Sequence, residues 1–135
     1  MENLDRIGDL FKGIFPETLG IEFVEATPDA VEATLLVREE ICTGGHIIHG
    51  GALMSLADTV GAVGTFLNLR EGQGTTTLES KTNFFSAGKV GETVRARSVP
   101  LHRGRRTMVW QTTILSESGK LVAQVTQTQM VLEGQ

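Results

Sequence analysis

The sequence has a single cysteine and no excess of basic residues, and each shortage excludes a class of protein. Cys42 alone can form no disulfide within the chain and no cysteine-based zinc cluster, and it suits a reducing compartment. Twelve Lys and Arg against sixteen Asp and Glu give a net charge of −4, which offers no electrostatic attraction to nucleic acid or to an anionic membrane. We therefore expect neither as a partner.

Long apolar runs are missing as well. The best candidate for a membrane span, residues 52–69, is interrupted by Asp58 and by glycines. The first residues, MENLDRIGDLF, are acidic where a secretory signal needs a basic segment followed by an apolar run. The sequence therefore predicts a cytoplasmic protein without a membrane partner.

The composition that remains is that of one ordinary globular domain, which we assign to residues 1–135. Apolar residues make up 40% of the chain and charged residues 21%, and the length is sufficient to bury a core. Apolar side chains at helical spacing predict an N-terminal helix within residues 1–15 and one long central helix over residues 49–69. Alternating patterns between turn residues predict six strands: 19–26, 30–37, 75–85, 91–101, 105–116 and 120–132.

The order of these elements indicates the fold class. Strands joined by tight turns favour an antiparallel sheet, and one long helix remains to cover its apolar face. Two strands show the alternation clearly, with one face formed by Met108, Trp110, Thr112 and Ile114 on the first and by Leu121, Ala123 and Val125 on the second. We therefore predict an α+β protein.

The central helix carries one ionisable side chain, Asp58, in an otherwise uncharged sequence. At 100° per residue, the stripe predicted to face the sheet is Leu53, Leu56, Val60, Val63 and Leu67. Asp58 falls on the opposite side with Gly61 and Ala62, whose small size leaves room for another backbone or a ligand. Asp is a poor residue for a helix interior, and Gly costs about 1 kcal/mol relative to Ala. We therefore interpret this face as an interface or a site rather than a solvated surface.

The entry to this helix, His49-Gly50-Gly51, predicts the second part of a site. The first turn of a helix leaves backbone N–H groups without intrahelical partners. Those donors, at the positive end of the helix dipole, suit a carbonyl oxygen that gains negative charge in a transition state. Gly50 and Gly51 also let a substrate approach the backbone closely.

Two segments, HGGALMSLADT and TNFFSAGKVGE, carry a resemblance to a known family. They resemble the hot-dog fold acyl-CoA thioesterases, nearest to the branch of phenylacetate-pathway and 4-hydroxybenzoyl-CoA thioesterases, and the element order matches over residues 15–132. The resemblance implies an antiparallel sheet wrapped around one long central helix and dimers that often pair into tetramers. It also implies hydrolysis of an acyl-CoA or aryl-CoA thioester without a cofactor or metal.

The resemblance assigns roles to single residues. The Gly50 N–H would polarise the thioester carbonyl, and Asp58 would act as general base on water or as direct nucleophile. Thr77 lies where relatives hold the attacking water with a Ser or Thr, and Thr76 is the alternative if the register differs by one. His49 is expected to orient the loop and the helix entry rather than to transfer protons.

At one position the sequence departs from the family. Relatives carry Asn or Gln six residues before the HGG histidine, where it helps to hold the carbonyl, and here that position is Thr43. His46 replaces the usual glycine three residues before the same histidine. Both Thr43 and His46 are candidates for the missing role. Cys42 lies in the same loop without a recognisable base, which favours a packing role.

Two further groups are predicted to contact the substrate. The candidate lining of the acyl pocket, which is equally plausible as core, is Met54, Phe84 and Phe85. The candidate ligands of the CoA phosphates, at the tip of the HRGRR hairpin, are Arg103, Arg105 and Arg106. Arginine binds phosphate through paired hydrogen bonds, although a charged hairpin tip also serves simply to stay solvated.

The spacing of Gly50 and Asp58 predicts a site shared between subunits. Eight residues span about 12 Å along a helix. A base and an oxyanion donor must both lie within roughly 3 Å of the reacting atoms. One copy of the helix cannot meet this requirement, whereas two antiparallel copies can, with Asp58 of one near Gly50 of the other. We therefore predict a homodimer, and the family resemblance implies that such dimers pair into a dimer of dimers.

Two other functions compete with thioester hydrolysis. Related hot-dog folds act as enoyl-thioester hydratases or dehydratases with a His and an acid, which His49 and Asp58 would supply here, but the HGG and LAD context resembles the thioesterases more. A non-catalytic acyl-CoA-binding protein is the other alternative. It would need an attached DNA-binding segment or a lost carboxylate, and the sequence shows neither.

Overall fold

The computed structural model describes residues 2–134. In chain order its elements are α1 (Glu2–Leu10), α2 (Phe15–Leu19), β1 (Glu22–Thr27), β2 (Ala30–Leu36), a 3₁₀ turn (Glu39–Ile41), β3 (Cys42–Thr43), β4 (Ile47–Ile48), α3 (Gly50–Phe66), β5 (Gly74–Phe84), β6 (Thr93–Arg103), β7 (Thr107–Leu115) and β8 (Leu121–Leu132).

Six strands form one antiparallel sheet in the order β1-β2-β6-β7-β8-β5, and α3 packs mainly against five of them, β2, β5, β6, β7 and β8. This arrangement confirms the predicted α+β fold with one long helix against an antiparallel sheet. The predicted inward face of β7 is buried from Met108 to Ile114. On β8, Ala123 and Val125 are buried as predicted, but Leu121 is 36% exposed because it lies at the start of the strand.

The predicted apolar stripe of α3 forms the centre of the core. Leu53, Leu56, Val60 and Val63 are all at most 3% exposed. Burying a side chain of this size stabilises the fold by about 1.5–3 kcal/mol relative to leaving it in water. Leu67, the last residue of the predicted stripe, follows the last helical residue, Phe66; it is half-buried and packs against the same core.

Small residues on α3 let the helix lie close to the sheet. A Cβ atom placed on Gly64 would lie 2.7 Å from the ring of Trp110, and one placed on Gly61 would lie 2.6 Å from the side-chain amide carbon of Gln127. The interpretation that Gly61 leaves room for another backbone or a ligand is therefore wrong, because Gln127 of the same chain fills that room.

The predicted bounds of both helices need correction. The N-terminal segment is not one helix over 1–15: α1 ends at Leu10, Gly13 has a left-handed φ of 78°, and α2 begins at Phe15 with proline in its first turn. Met1 lies outside the described residues. The central helix begins after His49 and ends at Phe66, earlier than the predicted residue 69, and Asn68 Nδ2 donates to the Gly64 carbonyl at 2.8 Å. None of the helices within residues 2–134 is long and apolar enough to cross a membrane.

Candidate active site

Asp58 and Thr77 meet where α3 crosses the edge strand β5. Both residues are half-buried, and the Thr77 hydroxyl donates to Asp58 Oδ1 at 2.6 Å. Thr76, the alternative in the predicted register, is exposed, because successive residues of a strand point to opposite faces. The structure therefore brings together Asp58 and Thr77 from separate elements and leaves Thr76 outside this pair.

Two glutamines of β8 complete the surroundings of this pair, and sequence reasoning missed both. Gln129 Nε2 donates to Thr77 Oγ1 at 2.6 Å, and Gln127 Nε2 donates to the Asp58 backbone carbonyl at 3.3 Å. Both side chains are fully buried. A signal was present, since both glutamines continue the inward alternation of Ala123 and Val125. Because buried amides require hydrogen-bond partners, glutamines at core positions indicate a cluster of hydrogen-bonded polar side chains.

The N-terminus of α3 is capped by the residue that precedes it. His49 Nδ1 accepts a hydrogen bond from the Gly51 N–H at 2.7 Å, and its carbonyl accepts from Ala52 and Leu53. The acceptor nitrogen must be unprotonated in this arrangement. None of residues 2–134 accepts a hydrogen bond from the Gly50 N–H. Of the two glycines predicted to face the substrate, only Gly50 therefore presents an unused donor.

An open cleft of about 360 Å³ lies at this helix entry. Its lining includes Gly50, Leu53 and Thr43, together with Phe84 and Phe85. The Phe84 ring packs so close to the backbone that a Cβ atom on Gly50 would lie 3.2 Å from it. The cleft therefore combines an apolar wall with the free N–H at the positive end of a helix.

One predicted pocket residue lies apart from this cleft. Met54 is 36% exposed and is not part of the lining, although it lies only one helical turn beyond Gly50. Of the candidate residues for the acyl group, the structure thus places Phe84 and Phe85 at the cleft and leaves Met54 on the open surface of α3.

The two candidates for the missing Asn or Gln have different surroundings. Thr43 lines the cleft and pairs with Ile47 in the β3–β4 hairpin. His46 is exposed, has a left-handed φ of 59°, and its Nδ1 lies 2.9 Å from Glu39 Oε1. Only Thr43 is therefore positioned beside Gly50.

Cys42 does not have the surroundings of a reactive thiol. Its Sγ donates to the Arg38 carbonyl at 3.3 Å. Burial, together with the nearby carboxylates of Glu39 and Glu40, raises the pKa of the Cys42 thiol. A raised pKa keeps the group in its unreactive protonated form. No group of three or more His, Cys, Asp or Glu within residues 2–134 is arranged to hold a metal ion.

The three arginines of the β6–β7 hairpin do not converge on one point. Arg103 reaches back to the β1–β2 turn, where it donates to the Pro28 carbonyl at 3.0 Å and pairs with Asp29 Oδ1 at 2.7 Å. Arg105 and Arg106 are exposed beside the end of β8, and Arg105 also borders a second cleft. Arg103 is thus held at the β1–β2 turn, whereas Arg105 and Arg106 line the cleft at the end of β8 beside Glu133.

The candidate base and the candidate oxyanion donor remain apart within one chain. They lie eight residues apart on α3, about 12 Å along its axis. The cleft at Gly50 does not include Asp58. Within one chain, the candidate carboxylate and the candidate N–H therefore lie at two separate places on α3.

Comparison with known proteins gives consistent matches over the region of the site. The model of the thioesterase superfamily matches residues 45–123, which include α3 and every residue of the cleft lining except Thr43. The proofreading thioesterase EntH of Cronobacter turicensis is 34% identical over 117 residues, covering 87% of this chain and 85% of the relative. The 1,4-dihydroxy-2-naphthoyl-CoA hydrolase of Escherichia coli is 32% identical over 118 residues, covering 87% and 86%.

Solved structures match over nearly the whole fold. A thioesterase from Haemophilus influenzae superposes with a TM-score of 0.90 at 30% identity, covering 96% of this chain and 90% of the other. A hypothetical thioesterase protein from Streptococcus pneumoniae, in a crystal structure with coenzyme A, superposes with a TM-score of 0.78 at 25% identity, covering 86% and 88%.

Proposed function

Since the chain belongs to the thioesterase superfamily and has its hot-dog fold, we propose that it hydrolyses acyl-CoA thioesters to a free acid and CoA. The observation that carries this proposal is the half-buried Asp58 carboxylate, held by the Thr77 hydroxyl at 2.6 Å. The relatives support the substrate class, because one is named a hydrolase of an aryl-CoA and a structural neighbour holds coenzyme A. A cytoplasmic location stays a prediction from the composition.

The reaction needs a polarised carbonyl and an activated attacking group. Gly50 would supply the first, because its N–H is unused and lies at the positive end of the α3 dipole. Asp58 would supply the second in one of two ways. It would take a proton from water, whose oxygen adds to the carbonyl carbon as the C–S bond breaks and CoA leaves. Alternatively, it would attack the carbonyl carbon itself, CoA would leave, and water would then hydrolyse the acyl anhydride on Asp58 to the free acid. Thr77 would hold the ionised carboxylate through a charge-assisted hydrogen bond. His49 would keep the helix entry in place as its cap.

A second subunit would bring these two groups together. The outer edge of β5 pairs with no strand among the described residues, and it is eleven residues long with Leu78 54% exposed. Ser80 Oγ and Thr82 Oγ1 on this strand are buried, and neither has a hydrogen-bond partner within residues 2–134. A free edge of this length favours pairing with another strand. Antiparallel pairing of two copies of β5 would set their α3 helices side by side in opposite directions, with Asp58 of one near Gly50 of the other.

The substrate would lie across this interface. The acyl group would occupy the cleft of Phe84 and Phe85, with Thr43 as a further donor to the carbonyl. Arg105 and Arg106 would bind the CoA phosphates, whereas the predicted contribution of Arg103 competes with its ion pair to Asp29. Pairing of two such dimers into a tetramer is part of the same proposal.

The surroundings of His49 favour hydrolysis over hydration of an enoyl thioester. A hydratase would use His49 together with Asp58 for proton transfer. In the structure, His49 Nδ1 is engaged by the Gly51 N–H, which suits a cap rather than a proton carrier.

A thiol-release screen tests the proposal. The enzyme is incubated with acetyl-, octanoyl-, benzoyl- and crotonyl-CoA, and free thiol is measured with a chromogenic disulfide. We expect thiol release from at least one saturated or aryl ester, and no loss of the crotonyl double bond. Hydration of crotonyl-CoA without thiol release would favour the hydratase instead. The absence of thiol release from every ester, with Asp58→Asn indistinguishable from the parent enzyme, would overturn the proposal.

A further inference from the structure

The Asp58–Thr77 pair is the end of a longer series of partly buried hydrogen bonds. Gln129 is the direct cross-strand partner of Thr77, and its Nε2 donates to Thr77 Oγ1 at 2.6 Å. Gln129 Oε1 in turn accepts from the Thr75 hydroxyl at 3.0 Å. The sequence of donors therefore runs from Thr75 through Gln129 and Thr77 to the carboxylate.

The direction of this series follows from counting donors. An amide nitrogen only donates, so the short contact between Gln129 and Thr77 fills an acceptor site of the hydroxyl oxygen. Thr77 then has one O–H left, and Asp58 Oδ1, at 2.6 Å, is its acceptor. With the amide reversed, Gln129 would accept from Thr77 and the carboxylate would lose its donor. The orientation of one buried amide thus decides whether Asp58 receives this hydrogen bond.

Gln129 is poorly explained as a packing residue alone. Its side chain is fully buried, although an amide without its partners is costly to bury and an apolar residue would pack there as well. Thr75 does not depend on it, because the Thr75 hydroxyl also lies 2.9 Å from the Met130 carbonyl. Within this series of hydrogen bonds, Thr77 is therefore the hydroxyl whose choice of acceptor depends on Gln129.

We infer that Gln129 is a positioning residue of the thioesterase site, which fixes the Thr77 hydroxyl as a donor to the ionised Asp58 carboxylate. This inference rests on the proposed function, since it takes Asp58 as the reacting carboxylate. Gln129 itself does not reach the substrate. It acts through Thr77, so that loss of Gln129 changes the alignment of Asp58 more than the binding of the ester.

Gln129→Glu reverses the hydrogen bond with almost no change in shape. Burial raises the pKa of an introduced carboxyl group. While protonated, that group still donates to Thr77; once ionised, it accepts from Thr77 and withdraws the donor from Asp58. We therefore expect kcat/KM of this variant to fall at alkaline pH, in a range where kcat/KM of the parent enzyme stays constant.

Gln129→Met gives a neutral test that does not depend on titration. Met has a similar length and no donor, so Thr77 loses its fixed direction while the core stays filled. We expect kcat to fall about 10- to 100-fold with KM changed less than about two-fold, the pattern of a misplaced reacting group. If Gln129 acts through Thr77, the double variant with Thr77→Val should be no slower than Thr77→Val alone.

The matched control lies on the other face of the same strand. Gln124 accepts from the Thr113 hydroxyl at 3.1 Å, also as a cross-strand partner, but on the outer face of β8. Gln124→Glu and Gln124→Met should leave kcat and the pH profile unchanged. Circular dichroism and thermal unfolding establish that each variant is folded, and if Gln129→Glu does not fold, Gln129→Met and the double variant decide the question.

The profiles are measured with the fastest ester of the screen. A folded Gln129→Met with parental kcat would overturn the inference. A double variant whose loss of kcat equals the product of the losses in Gln129→Met and Thr77→Val would also overturn it. A folded Gln129→Glu whose profile stays flat at alkaline pH would also count against it. These outcomes leave the proposed function intact provided that Asp58→Asn is inactive. If Asp58→Asn retains parental activity, the proposed catalytic role of Asp58 fails first.

Discussion

Complementation between two inactive variants tests the shared site most sharply. Gly50→Pro removes the proposed oxyanion N–H, and Asp58→Asn removes the base with almost no change of shape. In a homodimer of either variant, every site has one defect. In a mixed dimer, one site combines the intact Gly50 of one subunit with the intact Asp58 of the other, and the second site collects both defects. Mixing two inactive proteins should therefore restore activity.

The structure indicates that Gly50→Pro can fold. Gly50 is the first residue of α3, where the missing N–H costs no intrahelical hydrogen bond, and no described residue accepts from it. His49 has a ψ of 139°, the extended conformation that a residue before proline favours. The added carbon atoms press on the Phe84 ring, which is 51% exposed and free to shift. Gly50→Ala introduces a similar contact but keeps the N–H, so it separates steric effects from loss of the donor.

The expected magnitudes follow from the lost interactions. Removing one oxyanion donor costs about 100- to 1,000-fold in kcat, and removing a positioned base costs about 100- to 10,000-fold. Random association makes half of the dimers mixed, each with one working site in two, so the mixture should recover about a quarter of the parental activity in a two-fold symmetric dimer.

The assay unfolds the two variants together, refolds them and measures thiol release, with mass spectrometry of differently tagged chains to count the mixed dimers. Separately refolded variants that are mixed only before the assay give the background. If mixed dimers form and activity stays at that background, each site lies within one chain and the reasoning from the 12 Å spacing is wrong.

Three further predictions address single parts of the model. Asp58→Asn should lower kcat by at least about 100-fold while the fold persists; a folded Asp58→Asn with parental kcat would contradict the role. Replacing Arg105 and Arg106 by Ala should raise KM for CoA esters far more than for thioesters of a truncated thiol. Arg103→Ala should chiefly lower thermal stability. An equal rise of KM for both kinds of ester would show that the hairpin is only a solvated turn. Gly61→Ala should lower the free energy of unfolding by about 1–3 kcal/mol, because its Cβ would overlap the buried Gln127 amide. An unchanged midpoint of denaturant unfolding would show that the helix shifts freely.

The fold was predictable because its main signals are local. The apolar stripe of α3 and the alternation on β7 reflect burial on one face, which a sequence records directly. The break between α1 and α2 also has local causes, the left-handed Gly13 and the proline after Phe15, but the apolar spacing continues across it and concealed it.

The site was predictable only in part, because its contacts are made across elements. Asp58 stands out as a single charge in an apolar helix, whereas Gln129 stands out only once its inward direction on β8 is known. The contact that fills the space beside Gly61 depends on how closely α3 approaches β8, and no local pattern gives that distance. The pairing of Arg103 with Asp29 joins residues 74 positions apart. Such contacts require the register of the whole sheet.

The position of Gly50 and Asp58 on one straight helix has a consequence for the protein at low concentration. Because a rigid helix fixes their separation, no side-chain rearrangement within a lone chain brings the carboxylate to the N–H. On the proposed shared site, activity per chain then follows the law of mass action: it falls on dilution toward the dissociation constant of the dimer and returns on concentration. A freshly made chain would be inert toward acyl-CoA until it meets a second copy, so assembly itself would switch the hydrolysis on.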